Sequence, residues 1–202
     1  FQFDLSEARS ANKKEISYQK VHFLLEQSES ELHRGASHEV NDAILENLGV
    51  IALFDGEYKP TIGGYFVFSS TVPQDKNPYD RYVVRCIRYA GSDPSSEIID
   101  SANIKGTLDT QIDEAYKFVL KNIAKKAVII GTRRVEKYEY PEEAIRELIA
   151  NAIIHRDYKI IETYTQIRVF RDRVEIINPG SLPPGVTIDN IREAQFSRNS
   201  MI

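Results

Sequence analysis

Glu147, Asn151 and His155 recur at four-residue intervals within PEEAIRELIANAIIHRDY (Pro141 to Tyr158), a stretch that otherwise reads as an amphipathic helix. Each four-residue step advances a helix by about 40° beyond a full turn, so the three lie on one slowly drifting stripe. A carboxylate, an amide and an imidazole on one stripe could be offered together to a single ligand. Two later segments carry further polar groups. Asn178 stands before Pro179 and Gly180, and Ser197, Arg198 and Asn199 could donate hydrogen bonds to an anion.

The elements that must position these groups are legible. On a helical wheel, Ala144, Ile145, Leu148, Ile149, Ala152 and Ile153 fill one half. Asn151 and His155 fall beside Ala144, at the rim of that expected packed face. Polar groups half-withdrawn there need a partner from the protein, from water or from a bound molecule. Pro141 suits the first helical turn, and Glu142 and Glu143 favour its positive end. Gln166 to Phe170 and Arg173 to Ile177 alternate as two strands joined at Arg171 and Asp172. The second strand stops at Asn178, Pro179 and Gly180, where proline ends the ladder and glycine allows a sharp turn.

The blocks EAIRELIANAIIHRDY, FRDRVEIINPGSLPPG and SRNSMI, in that order, resemble the C-terminal part of bacterial RecG-helicase-related transcriptional regulators. PTIGGYFVF, RYVVRCIRYAG and IKGTLDTQIDEAYKFVLKN resemble the middle of the same family, so the likeness runs over roughly residues 40 to 202. In that family the region is similar to a divergent ATPase domain of the GHKL type shared by DNA gyrase, histidine kinases and MutL. An AlbA-like domain, shared with Schlafen proteins, precedes it.

The resemblance implies ATP and Mg2+ as ligands. Glu147 matches the glutamate that positions the attacking water, and Asn151 matches the asparagine that binds the magnesium ion. That division suits a carboxylate beside water and a neutral oxygen on a hard cation. Asn178 stands where the superfamily has an aspartate accepting from the adenine amino group, and it brings donors to that place. His155, Gly180, Ser197 and Arg198 complete the expected nucleotide-contacting set. A glycine-rich lid is not evident between Gly180 and Ile202, and no GxxxxGK[ST] phosphate loop occurs in the 202 residues. The first departure argues against efficient hydrolysis, and the second leaves helicase activity unsupported.

Structural readings stand beside these. The trio could be a satisfied polar cluster, His155 could cap helix carbonyls, and Arg156 and Asp157 could form surface contacts. A zinc site at His155 is poorly supported, because Cys86 lies in a strand-like run and His22, His33 and His38 are remote. Cys86 reads as a small core residue.

A 202-residue chain with 42% hydrophobic content can bury a substantial core. Its net charge of −4 excludes a surface that grips nucleic acid everywhere but not a local basic patch. Lys121, Lys125, Lys126, Arg133 and Arg134 could form one, or could simply be solvated. One cysteine excludes a disulfide framework, and no apolar run reaches bilayer length, so a cytoplasmic setting is expected. The chain opens on Phe1 without a charged-then-apolar leader, as expected of a piece of a longer protein.

Residues 1–38 read as a helical arm with an amphipathic stretch at Ile16 to Leu25. Residues 39–202 read as an α/β core, a mixed sheet with helices on one face, its ATPase-like site in 141–202. Within it, Val40, Ile44 and Leu48 share one helical face that stops at Gly49, and Val50 to Phe54 and Tyr65 to Phe68 are expected strands. That outline is faintly that of a winged helix, but it lacks a basic recognition helix. Arg81 to Tyr89 reads as a central strand, Asp93 to Asp100 as a loop, Gln111 to Lys126 as an amphipathic helix and Ala127 to Ile130 as a strand. Two functions follow as expectations. One is a nucleotide-responsive module of a DNA-binding transcriptional regulator; the other is an inactive scaffold or homodimerisation domain linking its neighbours.

Overall fold

The computed structural model describes residues 3–27, 40–130, 133–182, 185–190 and 199. The chain divides into two compact units, Phe1–Asp80 with Leu182–Ile202, and Arg81–Ser181.

In the first unit, helix α1 (Tyr18–Gln27) buries Val21 and Leu25, the apolar members of the amphipathic stretch. Helix α2 (Asp42–Asn47) begins at Asn41, whose side chain accepts from the Ile44 N–H at 3.0 Å, and it buries Ile44 and Leu45. Strands β1 (Ile51–Phe54) and β2 (Glu57–Pro60) form an antiparallel hairpin closed at Asp55 and Gly56. Those two residues have φ of 50° and 82°, the left-handed pair that a two-residue turn needs to match strand twist.

The expected strand at Tyr65 to Phe68 is instead helix α3 (Ile62–Phe68). Thr61 starts it by accepting from the Gly64 N–H at 2.9 Å while its hydroxyl donates to Gly49 O. The run GGYFVF has a strand's composition, yet burial of Tyr65, Phe66 and Phe68 on a helical face prevails over local propensity. Phe66 packs edge-on to Tyr79 with ring centroids 5.4 Å apart.

The second unit is built on a mixed four-stranded sheet of order β4-β3-β7-β8. Its strands are β3 (Val84–Tyr89), β4 (Ile98–Ile104), β7 (Thr165–Val169) and β8 (Val174–Ile177). β3 pairs antiparallel with β4 and parallel with β7, and β7 pairs antiparallel with β8 across the expected turn at Arg171 and Asp172. β4 begins inside the expected loop and runs on beyond it. Helices α4 (Leu108–Asn122) and α5 (Glu142–Ile154) pack on each other and on one sheet face, that of Cys86, Ile167, Val169 and Ile176. Strands β5 (Lys125–Ile130) and β6 (Arg133–Tyr138) form a separate antiparallel ribbon. The architecture is thus a mixed α/β fold, as expected.

Cys86 has no exposed surface, and burial alone pushes its thiol pKa up to about 12. It should therefore not react with a thiol reagent at pH 8 in the native chain, yet react fully in guanidinium. Rapid labelling without denaturant would contradict its place in the core. Among the described residues no helix is long and apolar enough to cross a membrane.

Candidate functional site

α5 enters at Pro141, carries Glu142 and Glu143 in its first turn, and is anchored by Ile145, Ile149 and Ile153 on the sheet. It ends at Ile154. His155 is therefore a cap and not an interior residue: at φ −95° and ψ 10° its N–H donates to Asn151 O at 2.9 Å. The capping expected of its ring is performed by its backbone.

Asn151 and His155 do share a stripe with Ala144, but that stripe faces solvent. Leu148, expected in the packed face, is 58% exposed, and Ala144, Glu147, Asn151 and His155 are exposed as well. The wheel drew the apolar half too wide, because α5 lies toward the edge strand β8, where one row of isoleucines is enough to meet the sheet. Glu147 and His155 are eight residues apart, a span of roughly 12 Å along a helix axis. Only an elongated ligand could touch both.

The exposed stripe borders a groove. A cavity of about 320 Å³ is lined by Tyr140, Pro141, Ala144, Ile145 and Leu148 with Val119 of α4 and Val174 and Ile176 of β8. Ala144, Leu148, Asn151 and His155 fall within about 60° on the helix, so the stripe continues from this apolar end into a polar one. β8 runs the same way. Its inward positions Val174 and Ile176 are followed by Asn178, and the Asp157 N–H donates to Pro179 O at 3.1 Å, tying the end of β8 to the end of α5. Gly180 follows with φ of 117°, a conformation in which a side chain would be strained.

Beneath the polar end lies a cluster built on Arg156. This residue, expected at the surface, is only 2% exposed. Its guanidinium donates to Thr163 O at 2.7 Å, Ile160 O at 3.1 Å and Thr165 Oγ1 at 3.3 Å. It also lies 5.3 Å from the Tyr82 ring centroid and 5.8 Å from that of Tyr158. The two rings meet edge to face, the Tyr82 hydroxyl donates to Tyr158 O, and the Tyr158 hydroxyl donates to Ile153 O at 3.0 Å. Burial draws the Arg156 pKa down from its ordinary value and pushes that of Tyr158 up, so the phenol remains a donor. Thr165 Oγ1, which accepts from Arg156, donates its own O–H to Asn178 Oδ1 at 3.2 Å. The oxygen of Asn178 is thus already engaged. Basic and aromatic residues crowded into HRDY were the available signal for this cluster.

Glu147, Asn151 and His155 are presented by one helix, and Asn178 and Gly180 are brought to its C-terminal end. Ser197 and Arg198 lie outside the described residues. The donor set would suit a magnesium ion that arrives with phosphates: such an ion keeps several waters and takes one or two protein oxygens, here the Asn151 amide oxygen, with Glu147 one turn earlier free to meet a water. It does not suit a protein-caged metal. Among the described residues no group of three or more His, Cys, Asp or Glu could hold one.

Residues 162–202 match the family described as "Putative ATP-dependent DNA helicase recG C-terminal". This segment is RecG-C-terminal-like. It contains β7, β8 and the Asn178–Gly180 turn, and Val174 and Ile176 of β8 line the groove. No curated protein matches the chain. Among solved structures, the DIP2311 protein from Corynebacterium diphtheriae is similar with a TM-score of 0.68 at 17% identity, over 98% of this chain. The present chain spans 37% of that protein, and the likeness is one of fold.

Proposed function

We propose that the groove between α5 and β8 binds an ATP-like nucleotide with magnesium, as a regulatory module of a DNA-binding transcriptional regulator of GHKL-like fold. The observation that carries this reading is the groove's two-ended character. The apolar cavity at Leu148, Val174 and Ile176 is followed along α5 by the exposed Asn151 and His155 and along β8, within the RecG-C-terminal-like segment, by Asn178. Such an outline suits a ligand with a flat apolar base and a charged tail.

Bound magnesium would neutralise phosphate charge. Asn151 offers it a neutral oxygen, and Glu147, one turn earlier, accepts a hydrogen bond from a water and holds it in line. Gly180 lets the backbone approach the ligand. The asparagine at 178, and a run from Gly180 to Ile202 in which no glycine-rich lid is evident, favour binding over turnover. Occupancy would then act by biasing the pose of an attached DNA-binding part.

One observation favours a second reading, an inactive scaffold or dimerisation domain. The Thr165 hydroxyl occupies the Asn178 oxygen within the Arg156 cluster, as a purely structural polar network would.

Thermal unfolding with and without millimolar ATP or ADP plus magnesium separates the two. A ligand at a hundred times its Kd adds about 2.7 kcal/mol to the folded state. The nucleotide reading expects a raised midpoint in the parent and none in Asn151→Ala. Because Asn151 is exposed, the variant alone should unfold within about 0.5 kcal/mol of the parent. An unchanged midpoint in the parent would leave the scaffold reading.

A further inference from the structure

We infer that the β5–β6 ribbon is a duplex-DNA-binding arm, docking by its basic residues along the phosphate backbone with the ribbon seated in the major groove. Charge is the first observation. Residues 125–138 hold Lys125, Lys126, Arg133, Arg134 and Lys137 against the single carboxylate Glu136, within a chain whose net charge is −4. The basic character is therefore local, and the remainder of the chain is more acidic than the total indicates. A duplex would be drawn to this segment and turned away from the rest.

The second observation is that, among the described residues, the ribbon is ladder-paired only within itself. β5 and β6 are hydrogen-bonded to each other from Lys125↔Tyr138 to Ile130↔Arg133 and to neither edge of the four-stranded sheet. Alternate register positions lie on opposite faces. Lys125, Ala127 and Glu136 belong to one face and Lys137 to the other, and all four are exposed. Both faces are thus open to solvent at described positions. Lys125 Nζ lies 4.8 Å from the Tyr138 ring centroid, an arrangement that leaves its charge at the surface.

The third is size. Six residues per strand extend about 20 Å, and two paired strands with side chains are about 10 to 12 Å across. The B-form major groove, about 12 Å wide, admits a two-stranded ribbon, whereas the deep, narrow major groove of A-form RNA does not. An occupant of matching charge and dimensions is therefore B-form duplex. Contacts to phosphate would give affinity with little sequence preference. This inference is independent of the nucleotide groove, which lies on α5 and β8.

The test is fluorescence anisotropy of a labelled 20-base-pair duplex titrated with the 202-residue chain at 50 and 200 mM salt. With up to five phosphates neutralised, the affinity should fall by about 10²–10³-fold between those salt concentrations. Lys125→Ala with Lys137→Ala should weaken binding at low salt and flatten the salt slope by about two. Adding Arg133→Ala and Arg134→Ala should abolish binding, while circular dichroism and the unfolding midpoint show the variants folded. Two results would overturn the inference: no duplex binding at 50 mM salt, or binding that survives in the folded fourfold variant. A third would do so as well, namely a concentration-dependent dimer in sedimentation that the ribbon variant abolishes without any duplex binding, since the ribbon would then join two copies of the chain.

Discussion

Arg156→Ala is expected to destabilise the chain by about 3–5 kcal/mol, enough to unfold a large fraction of a marginally stable protein. The guanidinium has almost no contact with solvent and supplies the donors for Thr163 O, Ile160 O and Thr165 Oγ1. Truncation would strand these acceptors in a buried setting, at about 1–3 kcal/mol for each one left unsatisfied. The loss would also remove the cation from between Tyr82 and Tyr158, a contact worth about 2 kcal/mol when desolvated. Contributions of this kind are not additive, which keeps the total below their sum.

Arg156→Lys should recover only part of the loss, because an ammonium cannot reach three acceptors in a planar fork. Urea unfolding followed by circular dichroism measures both. A cost below about 1 kcal/mol for the alanine variant would mean that the loop of residues 160–165 is held by something other than this side chain.

A second large effect is expected at Gly64. A Cβ built there would lie 2.2 Å from Val50 O and 2.6 Å from Val50 Cα, so the obstacle is backbone and cannot rotate away. Gly64→Ala must push α3 off the Val50 backbone that leads into β1, and overpacking against backbone belongs at the upper end of the usual range, about 3 kcal/mol. Gly56 is the informative contrast. It has φ of 82° and open space around it, so Gly56→Ala incurs only conformational strain of about 1–2 kcal/mol. Denaturant midpoints for the two variants should therefore be ranked with Gly64→Ala well below Gly56→Ala. Equal midpoints would show that α3 yields easily.

These two positions also mark where the sequence was and was not readable. α5 and the β7–β8 hairpin were legible because their apolar residues repeat at helical and strand spacing. The buried isoleucines Ile145, Ile149 and Ile153 on α5 and the inward Ile167 and Val169 of β7 carry those periods. Helix α3 was not legible, since Gly63 and Gly64 beside aromatic residues resemble a strand and its turn. Only the close approach of Val50 explains the glycine. β4 was missed for another reason: its inward residues are Asp100, Ala102 and Ile104. The first of these is satisfied by Lys121 at 2.9 Å and Asn122 at 3.0 Å on α4, a pairing no local pattern announces.

At the candidate site, the choice of α5 and Asn178 as neighbours was legible and the burial was not. The trio lies more exposed than its spacing implied, and Arg156 far less. Helical phase shows which residues share a stripe. It does not show how wide a sheet lies beneath them.

The parallel pairing of β3 with β7 sets a schedule for synthesis. Val84 meets Thr165, so the inner edge of β3 stays open until about 80 more residues have been made. At 5–20 residues per second this is roughly 4–16 s on the ribosome. During that interval β3 can pair only with β4, a two-stranded arrangement that is marginal by itself. The sheet cannot close before the strand bearing Thr165 is made, so its assembly falls late and depends on a distant contact. Arg156, which precedes that strand by a few residues, meets its acceptor on it, Thr165 Oγ1, only once that strand has been made.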